Sequence, residues 1–558
     1  MSDTGKKQTF LHGAIWLTFA MAVVKVLGAL YKFPLQMIIG DEGYSYFTTA
    51  YDIYGVLTAV ATAGLPLALS RMTCAAYALG HHRQVRRIYK AGRFIYLALG
   101  FISAAAMVLL CRNEYVTQHQ PEAWVTIVCL APSAVLISYM SVYRGFFHGQ
   151  GNMRPTSQSQ MLEAGVKLIV GLVLAYLLLR LTGSLAYAAG GAIMGVTVSC
   201  VVSTLFLRSK FLPAWNALGN CSDGVTSYRG ILKGLMAIAI PITIGSAGLQ
   251  FLNVVEGNLY MGNLVNIAGN TDVNLPLVEA IRDSVMQSNP LLTAQEINSK
   301  VAANMKGIYN FMLTFFNMPV AFISPIGISL LPAITEYLTL GKHDMVKTTE
   351  ESGARVVGLL ALPCSVGMTL LAGPIAGLRY TGIRLMVATQ LLQILGVCIF
   401  FYGCVVFTNS VLQSHNYAHI PVIHTVLCGI VRLAIVYTLT ANPHINVIGI
   451  PIGGMFSYVG IMVLNMIAIY RLTSQKPVLI RNLLRPVVPA AIMGVAVWGS
   501  LYVLQNVLHI TSSLICCGIP IMVGVIVYAV AIILCKTIKK EDCMLLPKGE
   551  KIAKLLHL

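Results

Sequence analysis

Positively charged side chains lie inside long apolar stretches of this sequence, where an ionised group is costly. Lys25 stands about 15 residues into the first stretch, and Arg71 and Arg144 lie near one end of the second and the fourth. An ionised group in hydrocarbon costs about 3 kcal/mol even on the cheaper scales, so each one needs a partner, water or a function. Lysine binds phosphate as a point charge, and arginine binds it with two parallel hydrogen bonds. These cations therefore predict binding of an anionic group such as a phosphate or diphosphate.

Two further cations, Lys167 and Arg432, occupy matching hydrophobic segments in the two halves of the chain. A cation found in both halves either binds an anionic substrate or ties helices together through backbone carbonyls or Glu163. The two arginines near the ends of their stretches have a second interpretation, as anchors at a membrane interface. Lys25 lies too deep to reach an interface easily, which favours a hydrated cavity around it.

A second set of charged residues falls toward the outer ends of the stretches. Lys32 follows Lys25 by seven residues, which places both on nearly the same face of a helix. Asp52 and Glu256 fall at about the depth of Lys32. These three residues could pair as an outer gate, and the alternative is that the two acids simply neutralise Lys32.

The elements that carry these residues must be membrane helices. Hydrophobic residues make up 57% of the 558 residues, charged residues make up 10%, and the mean hydropathy is +0.75. Such a chain cannot present enough polar surface to dissolve as globular domains. A run of about 18 apolar residues spans a hydrocarbon core of about 30 Å. We count about fourteen such runs, near residues 10–38, 46–73, 93–112, 122–146, 158–180, 184–207, 231–260, 307–334, 353–375, 384–412, 418–440, 446–470, 486–506 and 512–535.

The distribution of basic residues predicts the topology. With the N-terminus in the cytoplasm, about 25 basic residues face the cytoplasm and about 7 face outside, which is the bias expected of short loops. An even number of spans then places both termini in the cytoplasm. The net charge of +18 lies mostly in loops that can meet anionic lipid headgroups, so nucleic acid is not expected as a partner.

The chain contains two similar halves. Residues 10–14 match residues 231–235, residues 166–168 match residues 431–433, and removing a polar insertion nearly aligns both pairs. Two such halves are typical of a carrier that works by alternating access. We therefore expect an N-lobe at residues 1–208, a cytoplasmic connector at 209–230, a C-lobe at 231–472 with an external insertion at 264–306, two extra helices at 473–536 and a cytoplasmic tail at 537–558.

The insertion is predicted to contain two short helices. Residues 276–287 open on Pro276, and residues 293–305 open on Thr293 and Glu296, which form a capping box. A surface loop is the favoured interpretation of the insertion, and a substrate lid is the alternative.

Several motifs are absent from the sequence. It has no phosphate-binding loop for ATP, no zinc-protease motif and no nucleophile elbow, so neither primary pumping nor hydrolysis is expected, and we predict that the protein is not an enzyme. The clustered histidines His415, His419 and His424 could bind a metal, but a loop end exposed to water is the favoured interpretation. We expect no metal and no cofactor.

Several segments carry a resemblance to a known family. Residues 25–35 (KVLGALYKFPL) and 64–71 (GLPLALSR) resemble the first two helices of the stage V sporulation protein B family. Residues 143–156 (YRGFFHGQGNMRPT) are similar to its loop motif, and residues 331–336 (LPAITE) are similar to the segment that ends its eighth helix. This family belongs to the multidrug, oligosaccharidyl-lipid and polysaccharide exporter superfamily, with the polysaccharide flippases and the lipid II flippase.

The resemblance implies an all-α polytopic membrane protein with about 14 transmembrane helices. Two pseudo-symmetric six-helix lobes would surround a central cavity, and two extra C-terminal helices would hold a polyprenyl tail. By position, Lys25 and Arg71 match the family's diphosphate-binding cations, and Arg144 would assist where substrate enters. The eighth span offers no obvious arginine to complete the family's set of three.

We therefore expect a flippase of the bacterial inner membrane. Its substrate would be an undecaprenyl-diphosphate glycan, such as lipid II or a polysaccharide repeat unit, used for cell-wall, spore-cortex or polysaccharide synthesis. Membrane lipids surround the protein, which we expect to be a monomer, and Na⁺, H⁺ or the membrane voltage would drive it. The alternatives are a cation-coupled multidrug antiporter of the same superfamily, which would need deep acidic residues, and a membrane scaffold for envelope enzymes.

Overall fold

A computed structural model describes residues 3–62, 64–218, 226–270, 275–288, 290–473, 478–510, 512–535 and 537. The side chains of residues 3–22, of Lys25 and of some other helical residues lie outside this description. The described residues form α-helices and short helical turns and contain no strand, which confirms the predicted all-α fold. Their contacts divide the chain into two compact units, one of Met1–Gly269 with Leu291–Phe311 and the other of Asn270–Pro290 with Met312–Leu558.

Among the residues that the structure describes, the first unit contains seven α-helices and the beginning of a further one. Most of these helices are joined by short connections. The seven helices are α1 (Asp3–Thr62), α2 (Gly64–Ala78), α3 (His82–Leu110), α4 (Trp124–Gly149), α5 (Arg154–Thr182), α6 (Leu185–Asn216) and α7 (Tyr228–Gly269).

Helix α1 is kinked at Gly40, whose φ of 70° and ψ of −178° lie outside the helical region. Glycine adopts a positive φ at little cost because it has no Cβ. The residues before and after Gly40 therefore form the first and part of the second predicted span with one glycine, rather than a loop, between them.

Helices α5 and α6 approach each other closely at two glycines. A Cβ added at Gly195 would lie 2.4 Å from the Cα of Gly171. Because neither residue has a side chain, the two backbones can come together, as is common between membrane helices. This contact fixes the position of α5, which carries three of the polar residues described below.

The second unit contains the remaining helices. His415 Nε2 lies 2.7 Å from Oε1 of the buried Glu350, whereas His419 of the same predicted cluster is exposed. The helices are α8 (Pro276–Ser288), α9 (Ala294–Thr339), α10 (His343–Leu370), α11 (Ala372–Ala376), α12 (Gly382–Ser414), α13 (His419–Ala441), α14 (Gly449–Leu472), α15 (Leu479–Leu484), α16 (Val487–Tyr502) and α17 (Ser513–Leu534).

The described part of the insertion contains two helices, as predicted, but the second helix continues beyond the insertion. The capping box at its start is confirmed, because Glu296 Oε2 accepts hydrogen bonds from the Thr293 backbone N–H at 2.8 Å and from its hydroxyl at 2.7 Å. The expected end at residue 305 is wrong, since α9 runs without interruption from Ala294 to Thr339. No proline stands between Ala294 and Pro319 to break it. Residues 294–311 of α9 belong to the first unit.

Within the described residues, eleven helices are long and apolar enough to cross a membrane. They correspond to eleven of the fourteen predicted spans. The other three predicted spans fall on α1, α2 and α7, whose side chains are described only in part. The protein is therefore a multi-pass membrane protein.

Candidate functional site

A pocket of about 310 Å³, lined by both apolar and charged residues, lies within the first unit. It brings together Arg144 on α4 and Lys167 on α5, two of the cations singled out in the sequence, and it adds Glu163. The other described residues that line it are Val24, Leu27, Gly28, Gln160 and Ala164.

The spacing of residues on α5 explains why its polar groups meet in this pocket. Gln160, Glu163 and Lys167 follow one another at intervals of three and four, which is the repeat of one helix face. The short turn between α4 and α5, with Gly151 at a φ of 74°, reverses the chain and sets Arg144 opposite that face.

Arg144 and Glu163 form an ion pair inside the pocket. Arg144 Nη2 lies 2.9 Å from Glu163 Oε2 and 3.4 Å from the Ser159 hydroxyl. Arg144 Nε is buried and has no hydrogen-bond partner among the described residues. This buried N–H group is therefore left unsatisfied by the described residues, which is costly for a polar group in such a place.

Lys167 is held over two aromatic rings. Its Nζ lies 5.2 Å from the ring centroid of Tyr31 and 5.3 Å from that of Tyr51, both on α1. The Tyr31 hydroxyl donates a hydrogen bond of 3.0 Å to the backbone oxygen of Ala192, which fixes the ring. Cation–π contacts stabilise the ammonium without neutralising it, so its charge remains available to an anion.

The structure does not gather all the predicted cations at this pocket. The side chain of Lys25 lies outside the described residues, although its neighbours Val24 and Leu27 line the pocket. Arg71 is exposed on α2 and is not among the described lining residues. Arg432 is half-buried on α13 and belongs to the second unit.

The acid Asp52, predicted at the outer gate, forms an ion pair with a residue that the sequence analysis missed. Lys306 on α9 is completely buried, and its Nζ lies 3.8 Å from Asp52 Oδ2. Lys32 lies close enough to Asp52 to interact electrostatically, but at longer range. Glu256 is buried on α7. The available signal for Lys306 was the unbroken helical stretch after Thr293, which carries this lysine into the apolar span.

A polar cluster surrounds Lys306. Its Nζ donates to the Thr49 hydroxyl at 2.7 Å and also to Oε1 of Gln118. The Gln118 backbone has a φ of 52°, a left-handed conformation that costs about 1 kcal/mol for a residue with a Cβ. This strained turn directs a buried amide at both members of the ion pair, since Gln118 Nε2 also lies 3.4 Å from Asp52 Oδ2.

A second ionic cluster, six residues earlier on α9, ties this helix to the rest of the first unit. Lys300 Nζ lies 2.7 Å from Glu42 Oε1 and 3.0 Å from Glu122 Oε1. Glu42 also accepts a hydrogen bond of 2.8 Å from the Tyr46 hydroxyl. Lys300 and Lys306 thus attach the same helix at two levels.

The sequence and fold match known proteins. The profile of the polysaccharide biosynthesis protein family matches residues 10–338, and that of the lipid II flippase MurJ family matches residues 280–517. The chain is 23% identical to the lipid II flippase MurJ of Bacillus subtilis (strain 168) over 508 residues, 87% of each chain. It is 21% identical to the stage V sporulation protein B of that organism over 452 residues, 79% of this chain and 80% of the relative.

A solved structure has the same fold. The lipid II flippase MurJ in its inward closed conformation matches with a TM-score of 0.64 and 11% identity, over 93% of this chain and 98% of the other. The resemblance drawn from the sequence motifs is confirmed. Because the first family profile covers more than half of its length, the chain belongs to the polysaccharide biosynthesis protein family.

Proposed function

We propose that this protein is a flippase that moves an anionic lipid-linked oligosaccharide across the bacterial cell membrane by alternating access. The observation that carries the proposal is the pocket in which Arg144 and Lys167 present positive charge within an apolar helical unit. Family membership and the flippase name of a relative matched over 87% of its length support the substrate class, an undecaprenyl-diphosphate glycan used in envelope synthesis.

The two pocket cations have complementary roles. Arg144 binds one phosphate with two N–H groups, and Lys167 attracts the second as a point charge. A volume of about 310 Å³ is at the small end of ligand sites, so it suits a diphosphate and its first sugar rather than a polyprenyl chain. Lys25 completes this set of cations, and the exposed Arg71 captures the substrate before it reaches Arg144. This last assignment exchanges the roles that the sequence suggested for the two arginines.

The outer gate comprises Lys32, Asp52 and Glu256, and Lys306 joins it. The contacts of Lys306 with Asp52 and Thr49 hold α9 against α1 on that side. Residues 1–208 and 231–472 act as the two lobes, with Arg432 in the second, and residues 473–536 accommodate the lipid tail. Both termini lie in the cytoplasm, the carrier works as a monomer, and Na⁺, H⁺ or the membrane voltage drives it.

The test is flipping by the purified protein in vesicles. A fluorescent undecaprenyl-diphosphate sugar is added, and the labelled lipid that reaches the inner leaflet is measured by protection from an impermeant reductant. Arg144→Gln and Lys167→Gln should each lower the initial rate at least tenfold, because losing one charged hydrogen bond costs about 1.4 kcal/mol or more. The control is Lys210→Gln, which removes an exposed lysine of α6 and should change the rate less than twofold.

Three results would contradict the proposal. Inactive wild-type protein would do so, as would equal rates for Arg144→Gln and wild type. Export of a cationic drug driven by an inward Na⁺ or H⁺ gradient, without movement of the lipid, would favour the antiporter instead.

A further inference from the structure

We propose that Glu163 is an internal counter-anion, which occupies Arg144 when the carrier is empty and is displaced by the phosphate of the substrate. The inference rests on the proposed function and deepens it. It concerns the step that flipping requires but binding does not, which is the return of the empty carrier.

The geometry of the ion pair is that of a displaceable ligand. A guanidinium offers a carboxylate or phosphate two parallel N–H groups on one edge, here those of Nε and Nη2. Glu163 takes only Nη2, at 2.9 Å, while Nε stays without a partner among the described residues. The carboxylate therefore occupies half of this edge, and the other half, which is buried, becomes available to a phosphate when the guanidinium moves away from Glu163.

The ion pair also faces the pocket rather than a closed core. The side chains of Arg144 and Glu163 are 17% and 24% exposed, and both line the cavity. The pair can therefore be reached from the pocket, and because α4 and α5 pack mainly against α6 rather than against each other, it can open without disrupting that packing.

The charge balance explains why a carrier of an anion would keep a carboxylate in its binding pocket. Among the described lining residues, Arg144 and Lys167 carry positive charge and Glu163 carries negative charge. Two uncompensated cations would make closure of the empty site away from water costly. Glu163 lowers the net positive charge of the pocket in the empty state, and a bound diphosphate neutralises it in the loaded state.

The other titratable groups around Glu163 do not supply this negative charge. Besides Arg144, these groups include Lys167 on its own helix, Tyr51 and Tyr54 on α1, and Cys200 on α6. Tyrosines and cysteines are ordinarily neutral near pH 7. The internal anion among the described neighbours is therefore Glu163.

Substrate binding therefore competes with the Arg144–Glu163 contact. A ligand that must break a contact binds more tightly when that contact is removed, and the reciprocal also holds. The variant Glu163→Gln keeps the shape but removes the charge. It should bind the substrate more tightly and return more slowly when empty.

The experiment compares exchange with net flipping of a labelled undecaprenyl-diphosphate sugar in vesicles. Exchange, with unlabelled lipid in both leaflets, proceeds without the return of an empty carrier, whereas net flipping requires that return. For Glu163→Gln we expect affinity about tenfold higher, which corresponds to about 1.4 kcal/mol. We also expect exchange within twofold of wild type and net flipping reduced at least tenfold. The control Glu114→Gln removes an exposed carboxylate and should leave both rates unchanged.

Parallel loss of exchange and net flipping in Glu163→Gln would overturn the inference, and so would weaker binding. If the glutamine variant does not fold, Glu163→Asp gives the answer. It keeps the charge and should retain more than half of net flipping, and a loss of net flipping alone in this variant would overturn the inference. The proposed function fails separately, when wild-type protein does not move the lipid or when Arg144→Gln moves it normally.

Discussion

Lys306 Nζ lies 3.8 Å from Asp52 Oδ2, and this ion pair joins α9 to α1 within one compact unit. The lysine is completely buried, while the Asp52 side chain is 34% exposed. A buried cation that loses its partner is destabilising, and the loss of the cation leaves the carboxylate without its partner.

We therefore expect Lys306→Met to lower the free energy of unfolding by about 2 kcal/mol, less than for a fully buried pair because Asp52 reaches solvent. The double variant Lys306→Met with Asp52→Asn should recover at least half of that loss. Thermal unfolding in detergent checks both values. Additive losses in the double variant would show that the two residues do not act as a pair.

The two carboxylates that bind Lys300 should differ in importance. Glu42 is buried and also accepts a hydrogen bond from Tyr46, whereas the Glu122 side chain is 42% exposed. We expect Glu42→Gln to cost about 2 kcal/mol and Glu122→Gln less than about 1 kcal/mol. Measuring the free energy of unfolding at about 0.1 M and 1 M salt distinguishes the two ion pairs, because salt screens only the exposed one. Equal, salt-sensitive losses would contradict this ranking.

The close approach of α5 and α6 predicts that Gly195→Ala is destabilising. The new Cβ would lie 2.4 Å from the Cα of Gly171, which is backbone and cannot move aside. We expect a loss of about 2 kcal/mol or more in thermal unfolding. The matched control on α5 is Gly165→Ala, where no atom lies within 4 Å of the added Cβ. The control should be neutral or stabilising by up to about 1 kcal/mol, because alanine favours helix.

Arg71 and Arg144 should respond differently to salt. Arg71 is exposed, so Arg71→Gln should slow substrate capture by about threefold at low salt, and the effect should disappear at about 0.5 M salt. Arg144 is mostly buried in the pocket, so the loss caused by Arg144→Gln should persist at high salt. Binding kinetics of a short-chain polyprenyl-diphosphate sugar measure both. A salt-resistant effect of Arg71→Gln would place that residue in the pocket.

The all-α membrane fold could be predicted from the sequence because the signals for it are local. Apolar runs long enough to cross a bilayer and the capping box at Thr293 each depend on residues near one another in the chain. The repeat of polar residues along α5 is local in the same sense. The end of the insertion's second helix was misplaced because a charged residue such as Lys306 suggests a boundary, whereas the helix continues through it.

The sequence alone determined the class of protein and most of the charged residues worth testing, since an ionised group in an apolar stretch is visible without a structure. Only the tertiary structure decided which of these charges meet. Arg144 contacts Glu163 across the turn between α4 and α5, and Lys306 contacts Thr49, which lies 257 positions earlier in the chain. It also separated Arg71 from the described lining of the pocket that holds Arg144. The physical reason is that an ion pair depends on distance in space, which the packing of helices sets and the spacing of residues along a chain does not.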